Sequence, residues 1–254
     1  MGSPPALPAR PNPMDTTPNR LSISHLMLWM ATTGMVLAEV QWDLSTAGLP
    51  PDRVDAMRLE VLVGSLGFGP LNGLAIAGLL ILLWRRFWTR VPFPTEPGHW
   101  ILVIAGANQT IHLIYHVLYL LWIRGEAAAV PGWASSFSRF AIEGFVILLA
   151  VIGASSRHQG RIWNVSIGSL ALHPGMTICS SVTRIWIPAT RQFLGGSVWM
   201  NISRLGYTLP GLLAIAGAVV DWRRKQRRDF LHWCGVALVV LGPVVEWLRT
   251  LLLR

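Results

Sequence analysis

The third apolar stretch of this chain carries the side chains best suited to chemistry: Asn108, Gln109, His112, Tyr115, His116 and Tyr119. Asn108, His112 and His116 follow i, i+4, i+8 spacing, with Tyr115 and Tyr119 beside them, so the spacing predicts one polar helix face turned into a bundle. Two imidazoles one turn apart supply half of a tetrahedral or octahedral metal site, and further ligands must come from other helices. Glu143 in the fourth apolar stretch and Glu246 in the seventh are the candidates. At a rise of about 1.5 Å per residue, both fall with His116 in the outer half of the membrane. His173 in the fifth stretch falls in the inner half and fits less well. The metal set read from the sequence is therefore His112, His116, Glu143 and Glu246.

The same groups suit a second chemistry. Asn72, Asn108, His112, His116, Glu143 and Glu246 form a polar path for a proton or solute, because ionisable groups in a span are costly and face the protein interior. Haem is a further option, but ligands i and i+4 on one helix cannot take opposite faces of one iron, so His112 or His116 would need a partner such as His173. Against these stands a plainer reading. The histidines and tyrosines hydrogen-bond between helices, Glu143 is held by Arg139, and Glu246 is held by Arg249. Glu39 and Glu60 read as rim residues.

These residues need a scaffold, and composition says which kind. Of 254 residues, 52% are hydrophobic and 13% charged, with a mean hydropathy of +0.48. A soluble domain carries about 25% charged residues, so the chain is an integral membrane protein. Disorder is excluded for most of it, and two cysteines, Cys179 and Cys234, exclude a disulfide scaffold. Both thiols fall in apolar stretches and read as reduced packing groups. Six prolines within residues 1–20 predict a disordered tail there.

A span needs about 20 apolar residues. Seven segments of residues 21–254 qualify: 21–42, 60–84, 99–123, 138–155, 166–187, 205–220 and 231–250. The predicted fold is an all-α polytopic bundle of seven spans with a cytoplasmic N-terminus, and six spans is the main alternative. The fifth segment is the weakest, with His173, Pro174 and Arg184 inside it. The first also resembles a signal peptide, with Val36-Leu37-Ala38 as a small-residue cleavage site. The second contains Gly64, Gly67, Gly69, Pro70 and Gly73, which predict close packing and a kink. A broken helix at mid-membrane can line a transporter site, but no convincing internal repeat accompanies this one.

Charge sets the topology. The net charge is +9, with Lys225 the one lysine among 21 basic residues. With all seven segments crossing, the inner segments hold 12 of those 21, including the block at 221–229. Dropping the fifth span would put that block outside, against the positive-inside rule. The block also suits anionic lipid headgroups, whereas nucleic acid is not expected as a partner. Trp42, Trp84, Trp88, Trp100, Trp122, Trp163, Trp186, Trp222 and Trp233 lie near span ends and read as an aromatic belt.

Several activities are absent at the residues. A retinal protein needs a lysine in its last span, and Lys225 is in a loop. The third span ends Leu120-Leu121-Trp122-Ile123-Arg124, without the acidic-Arg-Tyr of rhodopsin-like receptors. P-loop, GxGxxG, GxSxG and HExxH patterns are missing. The stretches Arg20-Leu21-Ser22-Ile23-Ser24-His25-Leu26-Met27-Leu28-Trp29-Met30 and Arg227-Arg228-Asp229-Phe230-Leu231-His232-Trp233 resemble span boundaries of uncharacterised multi-pass inner-membrane proteins of planctomycete bacteria. That resemblance implies the bacterial inner membrane and no activity. Three classes of function remain: a non-catalytic scaffold, sensor or partner subunit, which leads; a transporter or proton-coupled carrier; and a metal- or haem-binding redox protein. No cofactor is specified.

Overall fold

Apolar runs of about 20 residues must satisfy their backbone groups internally, and the helix does this within one segment. A computed structural model describes residues 22–46, 51–88, 90, 94–124, 132–156, 159–186 and 197–252, and among these no strand occurs. The helices are α1 (Ile23–Thr46), α2 (Pro51–Trp88), α3 (Pro97–Arg124), α4 (Gly132–Ala154), α5 (Arg161–Ser169), α6 (Leu172–Trp186), α7 (Ser197–Arg223) and α8 (Phe230–Leu252). They supply seven segments long and apolar enough to cross a membrane: Ile23–Trp42, Val61–Trp88, Pro97–Leu118, Phe137–Ala154, Arg161–Val182, Arg204–Arg223 and Phe230–Leu252. The fold is thus the all-helical, seven-span bundle expected. Residues 1–20, read as a tail, lie outside the described residues, as does the side chain of Glu60.

Large apolar side chains cover the outside. Leu66, Phe145, Leu148, Leu212 and Leu248 are all exposed, an inversion of soluble packing that suits lipid contact. Inside, small residues bring helices together. A Cβ on Gly73 would strike Thr33, one on Gly106 would strike the Ala75 carbonyl, and one on Gly217 would strike the Trp163 ring. Thr32 Oγ1 donates to the Gly73 carbonyl at 2.8 Å, and Trp29 Nε1 donates to the Pro70 carbonyl at 2.9 Å, fastening α1 to α2.

The helix interruption falls in the fifth span. α2 runs without a break through Pro70, whereas the fifth crossing is divided into α5 and α6 by a tight turn at Leu170 and Ala171. There the Leu170 and Ala171 amides reach back to Ile167 and Gly168, each at 3.1 Å. Pro174, in the first turn of α6, removes the donor that the Leu170 carbonyl would otherwise receive.

The arrangement also brings out a repeat that a scan of the sequence passes over. Residues 65–78 of α2 and 204–217 of α7 align without a gap, and seven of fourteen positions are identical, among them Leu74-Ala75-Ile76-Ala77-Gly78 and Leu213-Ala214-Ile215-Ala216-Gly217. Trp84-Arg85-Arg86 matches Trp222-Arg223-Arg224 at the helix ends. Glu96 and His99-Trp100 match Asp229 and His232-Trp233 at the starts of α3 and α8. Upstream, Trp29, Thr32 and Gly34 match Trp163, Ser166 and Gly168 at identical spacing. The matched hydroxyls make similar contacts: Thr32 donates to the Gly73 carbonyl of α2, and Ser166 donates to the Pro210 carbonyl of α7 at 3.3 Å, two positions from the residue aligned with Gly73. Spans one to three and spans five to seven thus form two triplets with matching sequence signatures, joined by α4. Within each triplet the first span packs on the second and the second on the third, while α3 and α8 meet between the triplets.

The apolar core occupies one half of the bundle. Ile101, Ile104, Val146, Ala150, Ile167, Ala214 and Val236 form one cluster; Ile81, Leu82, Leu102, Leu231 and Cys234 form another. Both lie toward the Trp-Arg-Arg ends of α2 and α7.

Candidate functional site

Beyond that core, toward the opposite end, the bundle holds a cavity of about 650 Å³. It is lined by Phe68, Leu71, Asn72 and Ala75 from α2 and by Asn108, Gln109 and His112 from α3. α4 supplies Arg139 and Glu143, the α5–α6 turn supplies Leu170, α6 supplies His173 and Pro174, α7 supplies Gly206, Tyr207 and Pro210, and α8 supplies Val239, Pro243, Glu246 and Arg249. Of the residues singled out from the sequence, Asn72, Asn108, His112, Glu143 and Glu246 therefore share one cavity. His116 is not among its lining residues; its Nδ1 lies 3.8 Å from Glu39 Oε1 on α1. Helical geometry explains the separation. His112 and His116 differ by about 40° in heading, and one turn of rise carries His116 past the cavity toward the α1 side.

Arg139, His173, Tyr207 and Arg249 complete the polar lining. The sequence marks Arg139 and Arg249 as neutralising partners, and His173 as a poorer-fitting ligand or a haem partner. Tyr207 was missed, although its alignment with cavity-lining Phe68 marks it. The pairings are specific. Glu246 Oε1 accepts from Arg249 at 3.2 Å, as the spacing predicted, and Tyr207 OH meets His173 Nε2 at 2.7 Å. Two groups keep their polar capacity: Asn108 Oδ1 and His173 Nδ1 are buried without a hydrogen-bond partner among the described residues. Backbone adds to this. Pro174, Pro210 and Pro243 each strip the helical donor from the carbonyl four residues earlier, namely Leu170, Gly206 and Val239, and all three of those residues line the cavity. The result is a site with two carboxylates, two guanidiniums, two imidazoles, three amide side chains and a phenol inside a membrane bundle.

A second polar cluster lies at the other end of the core. It is built where α3 and α8 begin. Asp229 Oδ1 accepts from the His232 amide at 2.8 Å and meets His99 Nε2 at 2.9 Å; Oδ2 accepts from Arg85 at 3.2 Å. The Asp229 amide donates to Glu96 at 3.2 Å. Burial pushes the Asp229 carboxyl up, but the His99 hydrogen bond and charge, the His232 amide and Arg85 outweigh it and hold the group down at about 2. Burial, together with the neighbouring Asp229 charge, raises Glu96. Below them, Asp221 accepts two bonds from Arg228, at 2.8 and 3.2 Å, and one from Trp163 Nε1 at 3.2 Å.

This cluster revises two expectations. Within the basic block at 221–229, Arg228 turns inward to Asp221, while Arg223, Arg224, Lys225 and Arg227 are exposed. Trp163 is buried rather than part of a belt, whereas Trp84, Trp88, Trp222 and Trp233 are exposed. The acid-x-x-His spacing at the two helix starts, Glu96 to His99 and Asp229 to His232, was the available signal for the cluster. Among the described residues, the one group whose ligand atoms all lie within 4.8 Å of one another is Glu96, His99 and Asp229. The set His112, His116, Glu143 and Glu246 is not brought together in this way.

No protein-family model, curated protein or solved structure matches the chain.

Proposed function

We propose that the protein is a multi-pass carrier of a bacterial cytoplasmic membrane that binds a small polar solute in the cavity between its two helix triplets. The observation that carries this reading is the lining of that cavity. Two carboxylates and two guanidiniums face one 650 Å³ space within the bundle. Of these, Glu143 is buried, with 8% exposed, where a charge is costly, while Arg139, Glu246 and Arg249 stand nearer the span ends and are more exposed; a protein whose interior served only for packing would fill the space with apolar side chains.

Three features support it. The lining is balanced in formal charge, with Glu143 and Glu246 against Arg139 and Arg249, which suits a neutral or zwitterionic solute carrying both donors and acceptors. Equivalent triplets of the same direction, joined by a single span, are one architecture of secondary carriers, with the solute site at the repeat interface. The interrupted fifth span and Pro174, Pro210 and Pro243 leave three carbonyls without their helical donor at residues that line the cavity. Within the site, Asn108 and His173 offer free polar atoms to a solute, and Tyr207 orients the His173 ring.

The test is a thermal-shift screen of amino acids, sugars and polyols on the purified chain, followed by uptake of each hit into proteoliposomes. At least one solute stabilises the wild type and is accumulated or exchanged, and Glu143→Gln or Arg249→Gln loses both effects while eluting as the wild type does. A wild type that neither binds nor moves any of them returns the protein to the scaffold reading.

A further inference from the structure

The cluster at the starts of α3 and α8 belongs to neither the cavity nor its solute. Its half-buried Glu96 carboxylate receives only the Asp229 amide, at 3.2 and 3.4 Å, among the described residues. The nearby arginines are engaged elsewhere, Arg85 with Asp229 and Arg228 with Asp221. The imidazole at 3.7 Å brings no charge to it, because His232 Nδ1 already accepts the Gly98 amide at 3.0 Å and so carries no proton. Glu96 thus stands beside a second carboxylate, and the cationic groups near it, His99, Arg85 and Arg228, each hydrogen-bond to another carboxylate among the described residues.

From this geometry we infer that Glu96, His99 and Asp229 bind a first-row divalent cation. The three donor atoms already lie within 4.8 Å of one another, and the His99 side chain is almost fully buried, with 5% exposed. Ligands at about 2.0–2.1 Å from a tetrahedral ion are about 3.4 Å apart, so the widest pair closes by up to about 1.4 Å, mainly through rotation of the Glu96 side chain, while the His99–Asp229 pair opens by about 0.5 Å. The His99–Asp229 hydrogen bond gives way to two bonds to the ion. Arg85 remains on the outer oxygen of Asp229, and Thr95 Oγ1, 3.5 Å from His99 Nδ1, is placed to fix the ring once Nδ1 carries the proton. Two carboxylates and one imidazole are ligands for Zn²⁺, Mn²⁺ or Fe²⁺, and three protein ligands leave a position for water. The repeat explains why one site forms rather than two. Each triplet supplies an acid-x-x-His start, but His232 is fully buried under Gly98, so the second start contributes Asp229 alone.

The experiment is equilibrium dialysis of the chelator-treated, detergent-purified full chain against Zn²⁺, with metal read by elemental analysis. One Zn²⁺ binds per chain. Glu96→Gln and His99→Gln each weaken binding at least 100-fold, and the double variant His112→Leu, His116→Leu keeps it. A wild type that binds no Zn²⁺, or binding unchanged by Glu96→Gln and His99→Gln, overturns the site. Should either variant fail to fold, His99→Cys in a background with Cys179→Ser and Cys234→Ala decides. Co²⁺ then gives a thiolate-to-metal absorption band in the near ultraviolet if position 99 ligates, and its absence from the folded variant overturns the site.

Discussion

The Gly98 amide donates to His232 Nδ1 at 3.0 Å, tying the first turn of α3 to the first turn of α8. The bond assigns the His232 proton to Nε2 and requires the two backbones to touch. A Cβ on Gly98 would meet the His232 carbonyl, and one on Gly235 would meet the Gly98 carbonyl. The matching starts of α3 and α8 thus form the seam between the two triplets.

That contact predicts a severe effect for a small change. Gly98→Ala overpacks a backbone–backbone approach that has no flexible side chain to yield, at a cost of roughly 1–3 kcal/mol. The unfolding midpoint in detergent, followed by tryptophan fluorescence, falls by several degrees. Gly144→Ala, where a Cβ meets nothing within 4 Å, leaves it nearly unchanged.

Asp221 predicts a second loss. It is 3% exposed and accepts from both Arg228 and Trp163. Removing one partner of a buried ion pair costs roughly 3–5 kcal/mol because the other charge is left unpaired. Asp221→Asn destabilises strongly in the same assay, and adding Arg228→Met recovers part of the loss.

The α7 proline separates binding from folding. Pro210→Ala restores an amide opposite the Gly206 carbonyl and adds about one helical hydrogen bond, roughly 1 kcal/mol. The variant unfolds at a higher temperature. If that carbonyl serves the solute, binding in the thermal-shift screen weakens at the same time.

The two histidines of α3 part company. His112→Leu removes a polar group from the cavity lining and lowers solute affinity with little effect on stability. His116→Leu removes the group facing Glu39 and leaves solute affinity intact. Titrating both variants with one hit from the screen checks the division.

Sequence alone determined the class, the number of spans and much of the cavity. Apolar length fixes a span because lipid leaves the backbone no other partner, so each predicted segment overlaps a helical crossing. Charged groups inside spans turn from lipid, so Asn72, Asn108, His112, Glu143 and Glu246 were legible as interior residues. Tertiary structure decided which of them meet. Rotation about α3 sends His112 to the cavity and His116 to Glu39, and spacing along one helix cannot say which neighbour occupies each side. The cluster of Glu96, His99 and Asp229 joins positions 130 and 133 residues apart at two helix starts. It was hidden because the Asp229 half reads as an ordinary basic-to-apolar boundary and the Glu96 half falls between two apolar segments. The repeat lay in the sequence throughout, but apolar spans share composition, and only the paired contacts of Thr32 and Ser166 give the match its meaning.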